Sequence, residues 1–183
     1  SDGGMTLDQL LHVLRAALTI SGEKSFVLVG SQAVLLALDR PEGRLTLSDE
    51  IDLYPATAPE KADLIDGTIG ALSQFHDEFG YHADGVGPET AVMPADWMSR
   101  ASLHYFGDIT AICPELHDLS VSKCVAMREK DAEFVGELLR NGHVKIDVLI
   151  DRIRQLDPQS HPVDAIVAWA QRRAVESQEL GTP

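Results

Sequence analysis

At 183 residues and 44% hydrophobic content, the chain is long enough to bury a real core, as one domain or as a domain with a helical extension. A formal net charge of −14 excludes a protein whose whole surface attracts nucleic acid, since that attraction comes from lysine and arginine at phosphates. No run approaches the roughly 18 to 20 apolar residues of a membrane span, and Cys113 and Cys124 are too few for a disulfide framework, so they read as buried reduced thiols of a cytoplasmic protein.

Met5 reads as the natural start, which makes Ser1 to Gly4 an expression remnant, and neither a charged-then-apolar leader nor a polybasic arm is seen. Thr6 to Ala17 predicts a packing helix. Leu7, Leu10, Leu11, Leu14 and Leu18 fall on one face, Thr6 and Gln9 form a capping box, and His12 lies at the flank as a surface residue. Phe26 to Val29 has the composition of a strand buried on both faces. Gly30 ends it, and Gln32 to Asp39 favours helix, so Gly30 and Ser31 occupy a turn whose backbone N–H groups can face an anion. The same pair also suits an ordinary tight turn and N-cap.

Glu50 and Asp52 stand two apart on the next strand and project from one face. Carboxylates so placed repel each other and invite a hard divalent ion such as Mg²⁺ together with phosphate oxygens. The alternative is the solvated face of an edge strand, with Ile51 and Leu53 packed inward. Leu53, Tyr54 and Pro55 close this strand. Pro59 opens a helix to about Phe75, with Leu64, Ile65 and Leu72 on its apolar side and Gly67 and Gly70 allowing close packing. Tyr81 to Val86 predicts a strand bearing Asp84, with turn chemistry at Ala83, Asp84 and Gly85 an equal alternative. His82 shares the face of Asp84, where a lone histidine is more often packing or surface than ligand. Pro94 to Arg100 reads as a helical turn with Trp97 and Met98 in the core, and Ser102 to Phe106 and Asp108 to Cys113 form a hairpin about Gly107. The result is an α/β mixture of about five strands and three helices with the acidic strand central.

A strand, Gly30-Ser31, a short helix, a loop and a strand carrying Glu50-Ile51-Asp52 together resemble the nucleotidyltransferase superfold of the polymerase-β type. The resemblance implies an α/β (α+β) fold with a mixed sheet flanked by helices. It places Gly30 and Ser31 at a nucleotide's phosphates and makes Glu50 and Asp52 ligands for one or two metals. It also calls for a third carboxylate from a later strand, to bind metal or accept the proton of an attacking hydroxyl, and Asp84 fills that place.

From Pro114 the sequence is helical almost to its end. Glu115 to Met127 is the first helix. Phe134, Val135, Leu138 and Leu139 then make an apolar stripe stopped by Asn141-Gly142, and two amphipathic helices follow at Val144 to Leu156 and Pro162 to Glu176. The expected organisation is therefore a core over 5–113 and a helical region over 114–180 packed on it. The segment DLSVSKCVAMREKDAEF resembles the lysine- and aspartate-bearing helical motif of bacterial nucleotidyltransferase-like proteins, including type IV toxin/antitoxin and abortive-infection toxins. That resemblance makes Lys123 a contact of the triphosphate and Asp131 an activity-bearing residue, with Arg128 and Lys130 beside it as basic contacts. Read without it, Lys123 is a solvated helix position and Asp131 a charge favoured by its helix dipole. The chain departs from the toxin group in having no basic residue from Ala33 to Leu38 and in carrying Glu50 where aspartate is commoner.

The leading expectation is a Mg²⁺-dependent nucleotidyltransferase that takes an NTP, transfers the nucleoside monophosphate to an RNA or protein hydroxyl, and has a cognate partner protein if it is toxin-like. The second is a degenerate member of the fold acting as an antitoxin-like or oligomeric binding partner. The third, a nucleic-acid-binding regulator, would need a basic helix, for which Arg152, Arg154, Arg172 and Arg173 are the dense candidates.

Overall fold

A computed structural model describes residues 4–38 and 48–181. Asp39, the expected end of the helix after Ser31, lies outside the described residues. The chain divides into two compact units, one of Ser1–Thr90 with Ala101–Pro114 and one of Ala91–Arg100 with Glu115–Pro183. The sheet falls in the first and the C-terminal helices fall in the second.

The first unit opens with α1 (Leu7–Ser21), begun by the Thr6/Gln9 capping box in which each side chain accepts the other residue's N–H, and ended at Gly22 with φ +72°. Next come β1 (Ser25–Leu28), a 3₁₀ turn at Ser31–Ala33, the single turn α2 (Val34–Ala37) and the acidic strand β2 (Glu50–Pro55). A 3₁₀ turn at Pro59–Lys61 leads into α3 (Ala62–Ile69), and then come α4 (Gln74–Phe79), β3 (His82–Gly85), β4 (Ser102–Phe106) and β5 (Ile109–Cys113). The sheet order is β3-β2-β1-β5-β4. β1 runs antiparallel to β2 and parallel to β5, β2 runs parallel to β3, and β4 and β5 form the antiparallel hairpin, turning at Gly107 with φ +61°.

The acidic strand is not the centre of the sheet. β1 is, because Phe26, Val27 and Leu28 are apolar on both faces and wholly buried, whereas β2 alternates between buried Ile51 and Leu53 and half-buried Glu50 and Asp52. α3 packs on β2 and β3, and α1 packs on α3 and β5. Leu10, Val13, Leu14, Ile65 and Ile69 supply the buried positions of these two helices.

The helix expected from Pro59 to about Phe75 is broken. α3 is ended by its cap Gly70, the chain turns through Leu72 with φ +64°, and α4 is capped by Ser73, whose hydroxyl accepts the His76 N–H at 3.1 Å. Leu72 is 96% exposed and Leu64 is exposed, so neither joins the core that the sequence assigned them. Gly67 faces open space and permits no close packing, whereas a Cβ on Gly85 would sit 1.9 Å from the Ala62 carbonyl, which makes Gly85 the residue that lets α3 approach β3. His12 is half-buried rather than a plain surface residue. Its Nδ1 lies 2.5 Å from the Tyr81 hydroxyl, and its ring packs against Phe75, Phe79 and Tyr81.

The second unit contains a 3₁₀ turn at Trp97–Arg100 followed by α5 (Leu116–Ala126), α6 (Glu129–Arg140), α7 (Ile146–Ile153) and α8 (Val163–Gly181). Met98 is exposed, against the expectation of a core contact. α5 packs on α6, α7 and α8, so every residue from Asp118 to Cys124 is buried, and burial pushes the Cys124 thiol up to about 12. Asp118 is 0% exposed and accepts hydrogen bonds from Arg100 Nε at 2.9 Å, Arg100 at a terminal nitrogen at 3.1 Å, and Arg152 at 2.9 Å. Glu115 caps α5 by accepting from His117 N–H and Asp118 N–H. Burial alone would raise its pKa, but the hydrogen bonds and charge of His117 and the Arg152 guanidinium outweigh burial and hold it at about 2. Of the arginines weighed as a nucleic-acid face, Arg152, Arg154 and Arg173 each face a carboxylate of their own unit, at Glu115 and Asp118, Asp164 and Glu176.

Candidate active site

The parallel pairing of β2 with β3 sets Glu50 opposite His82 and Asp52 opposite Asp84. Side chains two apart on a strand share a face, so these four residues form a two-by-two array on the face opposite Ile51 and Ala83. Asp84 is thus a strand residue rather than a turn residue. Glu50, Asp52 and Asp84 are half-buried and His82 is 6% exposed. His82 Nε2 lies 3.6 Å from Glu50 Oε2 and 3.4 Å from Asp84 Oδ1. Its ring packs against that of His76, tilted by 39° with centroids 4.3 Å apart, and His76 Nδ1 itself accepts the Leu72 N–H at 3.1 Å.

Crowded carboxylates resist full ionisation. Burial first, then the hydrogen bond and charge of Glu50 and the charges of Asp52 and Asp66, raise Asp84 from the ordinary 3.8 to about 7. A cation among them would reverse that effect. Three carboxylates at the sheet surface fit a hard divalent ion that also takes phosphate oxygens, and one ligand atom each from Glu50, His82 and Asp84 lie within 4.8 Å of one another. Because the folded value lies above the unfolded one, the stabilising contribution of protonated Asp84 is complete below about pH 4 and is lost as pH rises through about 7. In chelator, the melting temperature is therefore expected to fall between roughly pH 4 and 7, and Asp84→Asn to flatten that slope. Melts across this range check the sign, and an identical slope in the variant contradicts the assignment.

The Gly-Ser bend meets the acidic strand directly. Val29 N–H donates to the Asp52 carbonyl at 2.9 Å, which carries the β1–β2 ladder up to Gly30. Gly30 has ordinary extended dihedrals (φ −86°, ψ 179°), so it is needed for space rather than for backbone freedom. A Cβ there would stand 2.7 Å from Asp52 Oδ2 and 3.1 Å from Asp52 Cβ and Cγ. Half-buried Ser31 follows and opens the 3₁₀ turn into α2, a shorter helical piece than the sequence suggested. Gly30→Ala is expected to push the Asp52 carboxylate aside, lowering metal affinity by about 10- to 100-fold while leaving the melting temperature within a few degrees. Calorimetry beside a thermal melt separates the two effects.

Lys123, Arg128 and Asp131 lie together in the helical unit. Lys123 is only 9% exposed, with Nζ 5.8 Å from the Phe134 ring centroid, so it is not a solvated helix position. Asp131 is 2% exposed and accepts from Arg128 N–H at 3.1 Å, Arg128 Nε at 2.7 Å and a terminal Arg128 nitrogen at 3.1 Å, which fixes the start of α6. Lys130 is exposed. The sheet unit gathers Gly30, Ser31, Glu50, Asp52 and Asp84, together with His82, which sequence reasoning set aside as a lone histidine. The signal for it was the His-x-Asp at 82–84, which repeats the Glu-x-Asp spacing of 50–52.

No curated protein and no solved structure matches this chain. The profile of one family, described as "Nucleotidyltransferase of unknown function (DUF6036)", matches residues 5–170 and so takes in the acidic array, the Gly-Ser bend and the α5–α6 motif. The chain belongs to this nucleotidyltransferase family.

Proposed function

We propose that the protein is a Mg²⁺-dependent nucleotidyltransferase that moves a nucleoside monophosphate from an NTP to a hydroxyl of RNA or protein, in the manner of the toxins its α5–α6 motif resembles. The acceptor oxygen forms a bond to the α-phosphorus, the bond to the bridging oxygen of the β-phosphate breaks, and pyrophosphate leaves. A divalent ion bound at the array would neutralise triphosphate charge and polarise the α-phosphate. Glu50 and Asp52, on an interior strand, would hold it. Asp84 supplies the third carboxylate, and Gly30 and Ser31 offer backbone N–H and hydroxyl groups to phosphate. The resemblance of the α5–α6 motif assigns Lys123 to the triphosphate, and Asp131 acts by holding Arg128 in place. The observation that carries this reading is the close fit of Gly30 against the Asp52 carboxylate. It brings the Gly-Ser bend and the acidic strand to one point, as a reading of one as phosphate-binding and the other as metal-binding requires.

One observation favours a second reading. Arg128 turns its Nε and a terminal nitrogen onto Asp131, as it would in a member of the fold that has lost transfer and serves as a binding or antitoxin-like partner. Labelling of candidate acceptors by an α-labelled NTP separates the two. Incorporation with release of pyrophosphate supports transfer, whereas a stable protein complex on pull-down with no incorporation and no Mg²⁺-NTP binding supports the partner role.

A further inference from the structure

We infer that the array takes a first-row transition ion of the Mn²⁺ class in preference to Mg²⁺, with His82 Nε2 joining one oxygen each of Glu50 and Asp84 as its ligands. The inference rests on the proposed function only in placing the ion at the same site, and it amends that reading by adding His82 to the ligands and by making Mg²⁺ an ion the site takes less tightly.

A cluster of carboxylates alone would not carry it; the imidazole does. His82 is more than nine-tenths buried, and among the described residues its ring makes no hydrogen bond. Its Nδ1 has no partner, while its Nε2 is aimed between two carboxylates at 3.6 and 3.4 Å without hydrogen-bonding geometry to either. A buried polar group left in that state needs an explanation. These separations exceed by a few tenths of an ångström the roughly 3.0 Å between adjacent donors of an octahedral ion held at about 2.1 Å, so a small side-chain movement closes the three donors on one ion. The ring is also oriented in advance. The β3 ladder holds its backbone, and the tilted ring of His76, anchored by the Leu72 N–H, packs against it.

Ligand chemistry then selects the ion. Mg²⁺ prefers an all-oxygen octahedron and keeps much of its water, so an imidazole nitrogen adds little to its binding. Mn²⁺ and the later divalent ions accept nitrogen and oxygen together, and affinity for nitrogen rises along that series. A site of two carboxylate oxygens and one imidazole nitrogen therefore discriminates between ions that an all-carboxylate site would bind more nearly alike.

The test uses the full chain stripped with chelator and titrated with Mn²⁺ or Mg²⁺ alone, without nucleotide. The wild type is expected to bind Mn²⁺ at least about tenfold more tightly than Mg²⁺, and His82→Gln to lower Mn²⁺ affinity by about tenfold or more while changing Mg²⁺ affinity little. Pulsed electron spin resonance of Mn²⁺ bound to the wild type gives a second readout that needs no variant, a hyperfine coupling to one directly bonded ¹⁴N. Equal affinities for the two ions, an unchanged ratio in His82→Gln, no Mn²⁺ binding, or bound Mn²⁺ without nitrogen coupling each overturns the inference. Mg²⁺-supported transfer with an all-oxygen signal overturns it while leaving the proposed function standing. A nitrogen-bound Mn²⁺ with no NTP binding under any ion upholds it and overturns the proposed function.

Discussion

Asp52→Asn is expected to lower nucleotidyl transfer by about 10³-fold, with the fold intact. Asp52 is the carboxylate to which the most structure is devoted. It sits on β2 between β1 and β3, faces Asp84 across the parallel pairing, and has an oxygen where only a glycine leaves room for it. Asparagine keeps its volume and removes its charge. Loss of that charge also relieves repulsion within the array, so the melting temperature of the chelated protein should hold or rise by a few degrees. Rate measurements with an α-labelled NTP, set beside a thermal melt, give both numbers. Transfer persisting at the wild-type rate removes Asp52 from the machinery.

The largest expected effect on stability lies in the helical unit. Asp118 is completely buried and neutralises two guanidinium groups, Arg100 by a two-pronged contact and Arg152 by a single one. Its removal takes away the buried acceptor these two guanidinium groups share and leaves Arg100 to Asp96 and Arg152 to Glu115, so Asp118→Ala should cost roughly 3–5 kcal/mol. For a chain of this size that corresponds to a fall in melting temperature of roughly 6–20 °C. Chemical denaturation of the variant measures it directly, and a loss below about 1 kcal/mol would mean that the two arginines find water or other acceptors once Asp118 is gone.

What could be read in advance was local. Thr6 and Gln9 announced their capping box, Phe26 to Val29 their burial on both faces, Gly107 its hairpin and Asn141-Gly142 a helix stop, because each depends on residues within a turn of one another. What could not be read depends on distant pairing. β1 takes the centre of the sheet because β5, more than eighty residues later, pairs on its other side, and nothing within β2 reveals that. The break between α3 and α4 turns on Leu72 adopting a left-handed conformation that its sequence neighbours do not require. His82 looked isolated because spacing along one strand says nothing about its neighbour, and only the β2–β3 register sets it opposite Glu50. Lys123 looked solvated because a helix enclosed by three others has no polar face for its pattern to mark.

The account depends on a metal bridging the acidic array to the phosphates held at the Gly-Ser bend. Calorimetric titration of the chelated protein with each of the four NTPs, first in EDTA and then with excess divalent ion, tests this most directly. Saturable binding of at least one NTP that requires the ion is the predicted result. Binding of equal strength in EDTA, or no binding of any NTP under either Mg²⁺ or Mn²⁺, contradicts it.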